Sequence, residues 1–237
     1  MLYPIGLFIL GEASPVPTAN LICAWNSESV VKSGSPELVS QLNAVYGTSN
    51  NATQSTDLNK PKWLSNQING YPALHMPDGE IRYMDFTKIF TSLSNFTIYF
   101  VIKHVQNSST NFNRVFSGDS TVNEGQIRTT SATTGYAGWG VSQPTMGNRL
   151  TDEDPTPSAW KYFTALPTNL YQNGVEETYA FTNNPQLRGL SRLFASVGGT
   201  VGSNFTGYMA EILVYSVSHD TTTRQSIESY ISNKYNF

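Results

Sequence analysis

Residues 207–216 read GYMAEILVYS, and this stretch decides the fold. In an extended chain both of its alternating faces are apolar, and Glu211 is the one interruption. The two faces are expected to hold Met209, Leu213 and Tyr215 on one side and Ala210, Ile212 and Val214 on the other. A strand that is apolar on both sides lies inside a sheet that is covered on both faces. We therefore predict a buried strand here.

A short amphipathic helix is predicted directly after this strand, over residues 222–235. Thr222 and Gln225 have the spacing of a capping box, in which each side chain satisfies a free backbone donor of the other. One apolar stripe follows at helical spacing, made of Ile227, Tyr230, Ile231 and Tyr235. The opposite, wet side is expected to hold Arg224, Gln225, Ser229 and Lys234. The helix is therefore expected to end the protein by covering part of its core.

The composition of the chain favours one β-rich domain with a neutral surface. Only 13% of its 237 residues are charged, against roughly 25% in typical soluble domains, and it contains 13 Tyr and 12 Phe. Short strand-like runs with turn signals between them indicate an all-β fold, a two-sheet antiparallel jelly-roll sandwich closed by the C-terminal helix. Such a surface suits proteins outside the cell or in virus particles.

Charge and cysteine content limit the partners that the chain can have. The net charge is −3, and Lys and Arg are scattered singly, whereas nucleic-acid binding needs clustered cations. Cys23 is the one cysteine and is expected to be a buried free thiol, which leans towards a bacterial or viral origin. No stretch has the roughly twenty apolar residues of a membrane span. Neither nucleic acid nor a membrane span is therefore expected.

Residues 1–20 are expected to form an N-terminal extended arm or linker, and residues 21–237 a single β-sandwich domain. The first ten residues are apolar, but they have no basic start and are interrupted by Pro4 and Gly6, which argues against a signal peptide. Two interpretations stay open for them: an arm that docks on a neighbouring subunit, or a first strand of the sandwich. Pro15 and Pro17 are typical of a short stiff connector.

Local patterns predict further strands and turns. Residues 95–103 alternate as a strand does, with Phe96 and every second residue after it apolar on one face. Asn173-Gly174 predicts a hairpin with a two-residue turn, and Asn69-Gly70 is a second turn signal. Residues 26–60 are interpreted as polar and irregular, with a helical turn as an option at 36–45.

The order of these segments resembles a known family. The matching segments are ATQ (52–54), NGYPAL (69–74), NFTIYFVI (95–102), LYQNG (170–174), GYMAEILVY (207–215) and the helix at 227–235. Together, over roughly residues 21–237, they resemble the concanavalin A-like (laminin G-like) jelly-roll domains of bacteriophage and bacterial structural and surface proteins. The resemblance implies a two-sheet sandwich whose concave face or loop rim often binds carbohydrate. For phage members it implies a part in tail fibres, receptor-binding proteins or capsid decoration.

Hydrolases of this family carry carboxylates at i, i+2 and i+4 of one strand, which places the acids on one face. Asp152 and Asp154 have the first spacing, but Pro155 follows at once and no apolar strand holds them. Glu176 and Glu177 are adjacent and point to opposite faces. The three histidines lack metal-ligand spacing. The chain is therefore expected not to be an enzyme and to need no cofactor.

The candidate binding residues are aromatic side chains near expected loops. Tyr136 and Trp139 lie in a Gly-rich segment that is expected to be an exposed loop, and Trp160 follows an acidic loop. Aromatic faces bind the apolar side of sugar rings, although ordinary core packing is the alternative for all three. Asp152 and Asp154 are weak candidates for a calcium site, since their oxygens are hard ligands, and a solvated loop is the alternative.

Three functional hypotheses follow. The first is a non-enzymatic virion structural protein, a capsid decoration or tail or fibre component, whose lectin-like sandwich binds host or environmental glycans. It is expected to be a homo-oligomer located in the virion, in contact with other virion proteins through residues 1–20. The alternative is a secreted bacterial carbohydrate-binding or adhesion module, located outside the cell or on its surface. The third hypothesis is a polysaccharide-active enzyme.

Overall fold

The computed structural model describes residues 16–34, 37–46, 50–89, 95–105, 113–118, 126–130, 136–140, 159–176, 190–195 and 204–237. For residues 126–130 and 136–140 the description covers the backbone. Over these ranges the fold is all-β with one C-terminal helix, which confirms the predicted class. No helix in them has the length and apolar character needed to cross a bilayer.

Fifteen strands precede the helix in the described part of the chain. They are β1 (Leu21–Ser33), β2 (Leu38–Tyr46), β3 (Ala52–Thr53), β4 (Lys62–Ile68), β5 (Tyr71–Met76), β6 (Met84–Ile89), β7 (Thr97–His104), β8 (Asn113–Gly118), β9 (Gln126–Thr130), β10 (Tyr136–Gly140), β11 (Trp160–Ala165), β12 (Leu170–Gln172), β13 (Val175–Glu176), β14 (Leu190–Leu193) and β15 (Gly207–Tyr215). The helix, α1, is Thr221–Tyr235, and a single 3-10 turn occupies Asp57–Asn59.

Strand pairing is antiparallel between all of these strands. The order of neighbours is β10-β9-β8-β14-β6-β3-β2-β4-β5-β15-β7-β11-β12-β13. β1 lies off this path and pairs with both β2 and β15. The strands β1, β2, β4, β5 and β15 therefore close into a ring. β15 also pairs with β7, which lies outside the ring.

Two apolar clusters form the core, one on each face of the central strands β7 and β15. Ile98, Phe100 and Ile102 of β7 belong to the larger cluster, which also takes in residues of β1, β2, β5, β6, β8, β11 and β14. Tyr99 and Val101, which alternate with them, belong to the second cluster beneath α1. The prediction of a central strand at residues 95–103, with Phe96 and its alternating partners inside, is confirmed.

The closing strand is buried on both faces as predicted, but its side chains are divided differently. Met209, Ile212 and Val214 lie in the larger cluster, and Ala210, Leu213 and Tyr215 in the second. The pairing of β15 with β7 shifts register between Met209 and Glu211. This bulge inserts one residue, so strict alternation fails there. Ala210 and Glu211 consequently both face α1.

The helix is confirmed, but its start and its polar side differ from the prediction. Asp220, not Thr222, is the N-cap, and its carboxylate accepts a hydrogen bond from the Thr223 amide at 2.7 Å. Ile227 and Ile231 are buried against the second cluster, as the stripe predicted. Arg224 was expected in water and is instead buried.

The turns predicted from Asn-Gly pairs are confirmed, and the interpretation of residues 26–60 as irregular is wrong for residues 26–46 but fits most of residues 50–60. Asn69-Gly70 joins β4 to β5 and Asn173-Gly174 joins β12 to β13, and all four residues have positive φ. Residues 26–46, in contrast, belong largely to β1 and β2, and a strand replaces the helical turn considered at 36–45. β1 and β2 pair irregularly, with three register shifts between them. Their polar and apolar residues therefore do not alternate regularly, and the sequence does not show the strand period.

Candidate functional site

A row of five side chains crosses five neighbouring strands. In the strand registers, Lys62 pairs with His75, His75 with Tyr208, Tyr208 with Lys103, and Lys103 with Trp160. Directly opposed residues of antiparallel strands project from the same face of a sheet. The five residues therefore form one line, which we call the cross-strand row. Four strand spacings make it roughly 19 Å long.

The cross-strand row lies at the border of the face that α1 covers. On β7 this face carries Tyr99 and Val101, buried in the second core cluster, and then Lys103, which is half-buried. On β11 it carries Tyr162 and then Trp160, also half-buried. Strand alternation therefore leads from the core beneath the helix to a partly open line of side chains.

Gly207 makes the close approach of β15 and β7 beside the row possible. Its φ is +144°, and a β-carbon there would lie far inside van der Waals contact with the Lys103 carbonyl oxygen. Only glycine adopts such a conformation without strain. Gly207 thus holds Tyr208 directly beside the backbone of Lys103.

The rings of the row are in contact with one another. His75 and Tyr208 are stacked, with centroids 4.4 Å apart and planes 11° apart. The Lys103 Nζ lies 5.3 Å from the centroid of the Tyr208 ring, and the Trp160 ring lies 6.1 Å from it. Trp160 donates its indole N–H to the Gln67 carbonyl oxygen at 3.0 Å, which fixes the orientation of the ring. The result is an aromatic surface with a lysine between two rings.

Among the described residues, the charged groups around the row are mostly cations. Lys62 and Arg82 both form ion pairs with Glu80, and these contacts lower the pKa of the Glu80 carboxyl although partial burial opposes the shift. Burial lowers the pKa of His75, and the charge of Lys62 lowers it further. His75 is therefore neutral at pH 7, while one carboxylate is shared by two cations.

The polar groups at the centre of the row are not used within the described structure. No hydrogen bond joins the Tyr208 hydroxyl, the His75 ring or the Lys103 ammonium to another side chain or backbone group in the described ranges.

The carboxylate of Glu211, in contrast, is fully used beneath α1. It accepts hydrogen bonds from the Tyr235 hydroxyl at 2.9 Å and from the Tyr230 hydroxyl and the Lys234 Nζ at 3.3 Å each. Lys234 also pairs with Glu28 at 3.0 Å. Burial alone would lower the pKa of Lys234, but Glu211 and its neighbours raise it. This cluster fastens the C-terminal end of the helix to the sheet.

A second buried carboxylate, Glu228, fastens the middle of the helix. Arg224 donates to Glu228 at 2.6 Å, and the Thr164 hydroxyl donates to it at 2.7 Å. The Arg224 guanidinium lies 3.7 Å from the centroid of the Tyr171 ring. The planar cation is thus held between a carboxylate and an aromatic face, an arrangement that suits arginine.

Of the predicted aromatic residues, Trp160 lies in the row. Tyr136 and Trp139 lie on β10, where they pair with Thr130 and Ile127 of β9. The segment expected to be an exposed loop is therefore a paired strand. The prediction failed because the glycines within residues 136–140 hide the alternation of a strand. β10 stands at the opposite end of the strand order from β11, so pairing does not bring these residues to Trp160.

The weak calcium candidates Asp152 and Asp154 lie outside the described residues. In the ranges that are described, no group of three or more His, Cys, Asp or Glu side chains could hold a metal ion.

The sequence did not reveal four members of the row: Lys62, His75, Lys103 and Tyr208. Each lies on its own strand in an ordinary local pattern, and His75 is one of three histidines that lack metal-ligand spacing. Their proximity depends on the register of five strands, which no local signal specifies. Tyr208 was visible only as the first large residue of the closing strand.

The sequence matches no family model, and no curated protein matches it significantly. Solved structures do resemble the fold. Domain 4 of AbnA, a GH43 extracellular arabinanase from Geobacillus stearothermophilus, in complex with arabinotriose, matches with a TM-score of 0.57 and 14% identity. The match covers 87% of this chain and 96% of that domain.

Two further structures show the same likeness. The botulinum neurotoxin type G receptor-binding domain matches 90% of this chain with a TM-score of 0.58 and 10% identity. A GH54 α-L-arabinofuranosidase soaked with a cyclic sulfate inhibitor matches 84% with a TM-score of 0.57 and 14% identity. This chain spans about half of each, 52% and 51%. At such identities the likeness shows a shared fold.

Proposed function

We propose that the chain is a non-catalytic carbohydrate-binding module and that the cross-strand row is its binding surface. The observation that carries the proposal is the combination of an oriented Trp160 ring with unused polar groups on Tyr208, His75 and Lys103. Sugars are bound by aromatic faces, which take the apolar side of the ring, and by a few polar groups placed for the hydroxyls. A row of roughly 19 Å suits an oligosaccharide better than a single sugar.

The fold supports this proposal. The two core clusters on either face of β7 and β15 fit a layered sandwich, and we assign the chain to the two-sheet jelly rolls of the concanavalin A-like type. Domain 4 of AbnA, whose fold is similar to that of this chain, is solved in complex with arabinotriose. Fold alone does not specify function, so the proposed carbohydrate binding rests mainly on the residues of the cross-strand row.

A binding role is favoured over a catalytic one by the state of the carboxylates. Glycoside hydrolysis uses two carboxyl groups on either side of the scissile bond, one of them protonated. Glu211 and Glu228 are held in ion pairs beneath α1. Glu80, beside the row, has a lowered pKa and is a poor proton donor. Release of reducing sugar from polysaccharide, lost on changing Asp152 or Asp154, would support the enzyme hypothesis instead.

The biological setting that we propose is the one favoured by the sequence resemblance. It is a virion structural protein that attaches to glycans, with a secreted bacterial adhesion module as the alternative. In the first setting, residues 1–20 dock on other virion proteins and the chain is a homo-oligomer. Light scattering of the full chain and of a chain lacking residues 1–20 tests this, since loss of the oligomer on truncation supports the arm.

Titration calorimetry with neutral and acidic oligosaccharides, arabinotriose among them, tests the binding function. Trp160→Ala is expected to abolish binding. Trp63→Ala is the matched control, because Trp63 adjoins Lys62 on β4 and so points to the opposite face, where it packs on the larger core cluster. Thermal unfolding verifies that both variants fold, and Tyr208→Ala replaces Trp160→Ala if the latter does not. Absence of saturable binding to every saccharide, or equal binding by the Trp160 variant, would overturn the proposal.

A further inference from the structure

We propose that the cross-strand row selects acidic saccharides, with a sugar carboxylate bound by the Lys103 ammonium and the Tyr208 hydroxyl while the sugar ring lies on Trp160. This inference rests on the proposed carbohydrate-binding function and names the ligand class of the same surface.

The described groups in and beside the row carry a net positive charge. Lys62, Arg82 and Lys103 are three cations in or beside the row, and Glu80 is the one carboxylate that pairs with them in the described structure. These four groups leave two net positive charges, in a chain whose net charge is −3. A positive line on a negative protein attracts anions at that place in particular.

Lys103 differs from the other lysines that lie over aromatic rings. Lys32 lies 3.7 Å from the centroid of the Trp63 ring and is paired with Glu37 at 2.7 Å. Lys234 lies over Tyr71 and is paired with Glu211 and Glu28. Lys103 lies over Tyr208 and has no carboxylate partner in the described ranges. The ammonium groups of Lys32 and Lys234 are paired with carboxylates of the protein. The ammonium group of Lys103 can instead pair with the carboxylate of a ligand.

The neighbours of Lys103 supply the rest of a sugar-acid site. Its two directly opposed residues are Tyr208 and Trp160, so the ammonium is flanked by an indole ring and by a hydroxyl that has no hydrogen-bond partner in the described ranges. The indole N–H is already donated to Gln67, so Trp160 offers its ring and not a hydrogen bond. A carboxylate can accept from Lys103 and Tyr208 at once, and charge-assisted bonds of this kind are strong.

Matched acids and methyl esters test the inference. Trigalacturonate, sialyllactose and a glucuronic-acid trisaccharide, each as free acid and as methyl ester, are titrated into the full chain, with arabinotriose as neutral reference. At least one acid is expected to bind about tenfold or more tightly than its ester, since esterification removes the negative charge and adds only a methyl group. Added NaCl should weaken binding of the acid and leave that of the ester nearly unchanged.

Lys103→Met keeps an unbranched side chain that is one atom shorter and removes the charge. It is expected to bring the affinity for the acid down to that for the ester, with the ester unaffected. Lys32→Met is the control, because it also removes a cation lying over an aromatic ring, here Trp63, but outside the row. Tyr208→Phe should weaken acid binding several-fold, and Lys103→Gln replaces Lys103→Met if thermal unfolding shows that the latter is unfolded.

The outcomes separate this inference from the proposed function. Equal binding of every acid and its ester, or unchanged acid binding by the Lys103 variant, overturns the acid selection, while loss of binding in Trp160→Ala still supports carbohydrate binding. No binding of any saccharide overturns both.

Discussion

Tyr208 and His75 lie face to face on neighbouring strands, with ring centroids 4.4 Å apart and planes inclined by 11°. His75 is the member of the cross-strand row whose usual pKa lies closest to neutral pH. The charged groups that face it are Lys62 on its neighbouring strand and Glu80 and Arg82 in the segment after β5. Burial and the charge of Lys62 lower its pKa, so the ring gains its proton only below the usual range of about 6.5.

Acidification should therefore strengthen the binding of an acidic trisaccharide. A proton on His75 adds a third uncompensated positive charge to the row, while the sugar carboxylate and Glu80 stay ionised between pH 7.5 and 5. We expect the affinity for the acid to rise as the pH falls below the usual histidine pKa of about 6.5, and the affinity for the methyl ester to stay level. Titration calorimetry at several pH values measures both.

His75→Gln should remove this pH dependence. His219→Gln is the control, because burial also lowers the pKa of His219, but its ring contacts Tyr99 beneath α1 and not the row. A pH slope that persists in His75→Gln, or one that disappears in His219→Gln, would contradict the assignment.

Gly207→Ala should damage both the fold and the row. A β-carbon at this position meets the Lys103 carbonyl, which is backbone and cannot move aside cheaply, and the φ of +144° is unfavourable for alanine. We expect a loss of about 3 kcal/mol in the free energy of unfolding, measured by urea denaturation. Gly79→Ala is the matched control. Its φ is +73° with open space around it, so it should cost only the roughly 1–2 kcal/mol of the backbone conformation. Equal costs would show that the contact with Lys103 is unimportant.

The elements that the sequence predicted well depend on local chemistry. The stripe of Ile227 and Ile231 follows the helical period, and the turn at Asn173-Gly174 depends on two residues that tolerate positive φ. The bulge beside Ala210 could not be predicted, because nothing in an apolar run marks where alternation breaks. The prediction therefore placed residues 212–215 on the wrong faces relative to Met209.

The candidate site was predictable only in part, and for the same reason. Trp160 was recognised as a candidate because it is an aromatic residue directly after an acidic, proline-broken loop. Its partners could not be recognised, since His75, Lys103 and Tyr208 are brought together by pairings between residues that are distant in sequence. Arg224 was misplaced because a charged residue near a helix start is usually solvated, whereas here Glu228 and Tyr171 compensate its burial.

Glu211→Gln should loosen the C-terminal end of the helix. The change removes the charge that compensates Lys234, whose side chain is 11% exposed, and leaves it with Glu28 alone. Breaking a buried ion pair on one side costs about 3 kcal/mol in unfolding free energy. Glu28→Gln removes the other carboxylate from the same lysine, but Glu28 is 43% exposed, so less than about 1 kcal/mol is expected. Urea denaturation compares the two, and a larger cost for Glu28→Gln would refute the described geometry.

Arg224 and Glu228 should show strongly non-additive effects on stability. Both side chains are buried, so Arg224→Met or Glu228→Leu alone leaves an uncompensated charge and should cost about 3–5 kcal/mol. The double variant removes both charges and leaves only the Thr164 hydroxyl without its acceptor, so it should lie within about 2 kcal/mol of the unchanged protein. A double-mutant cycle by urea denaturation measures the coupling. If the two costs simply add, the pair is solvated, and Arg224 lies on the wet side of the helix after all.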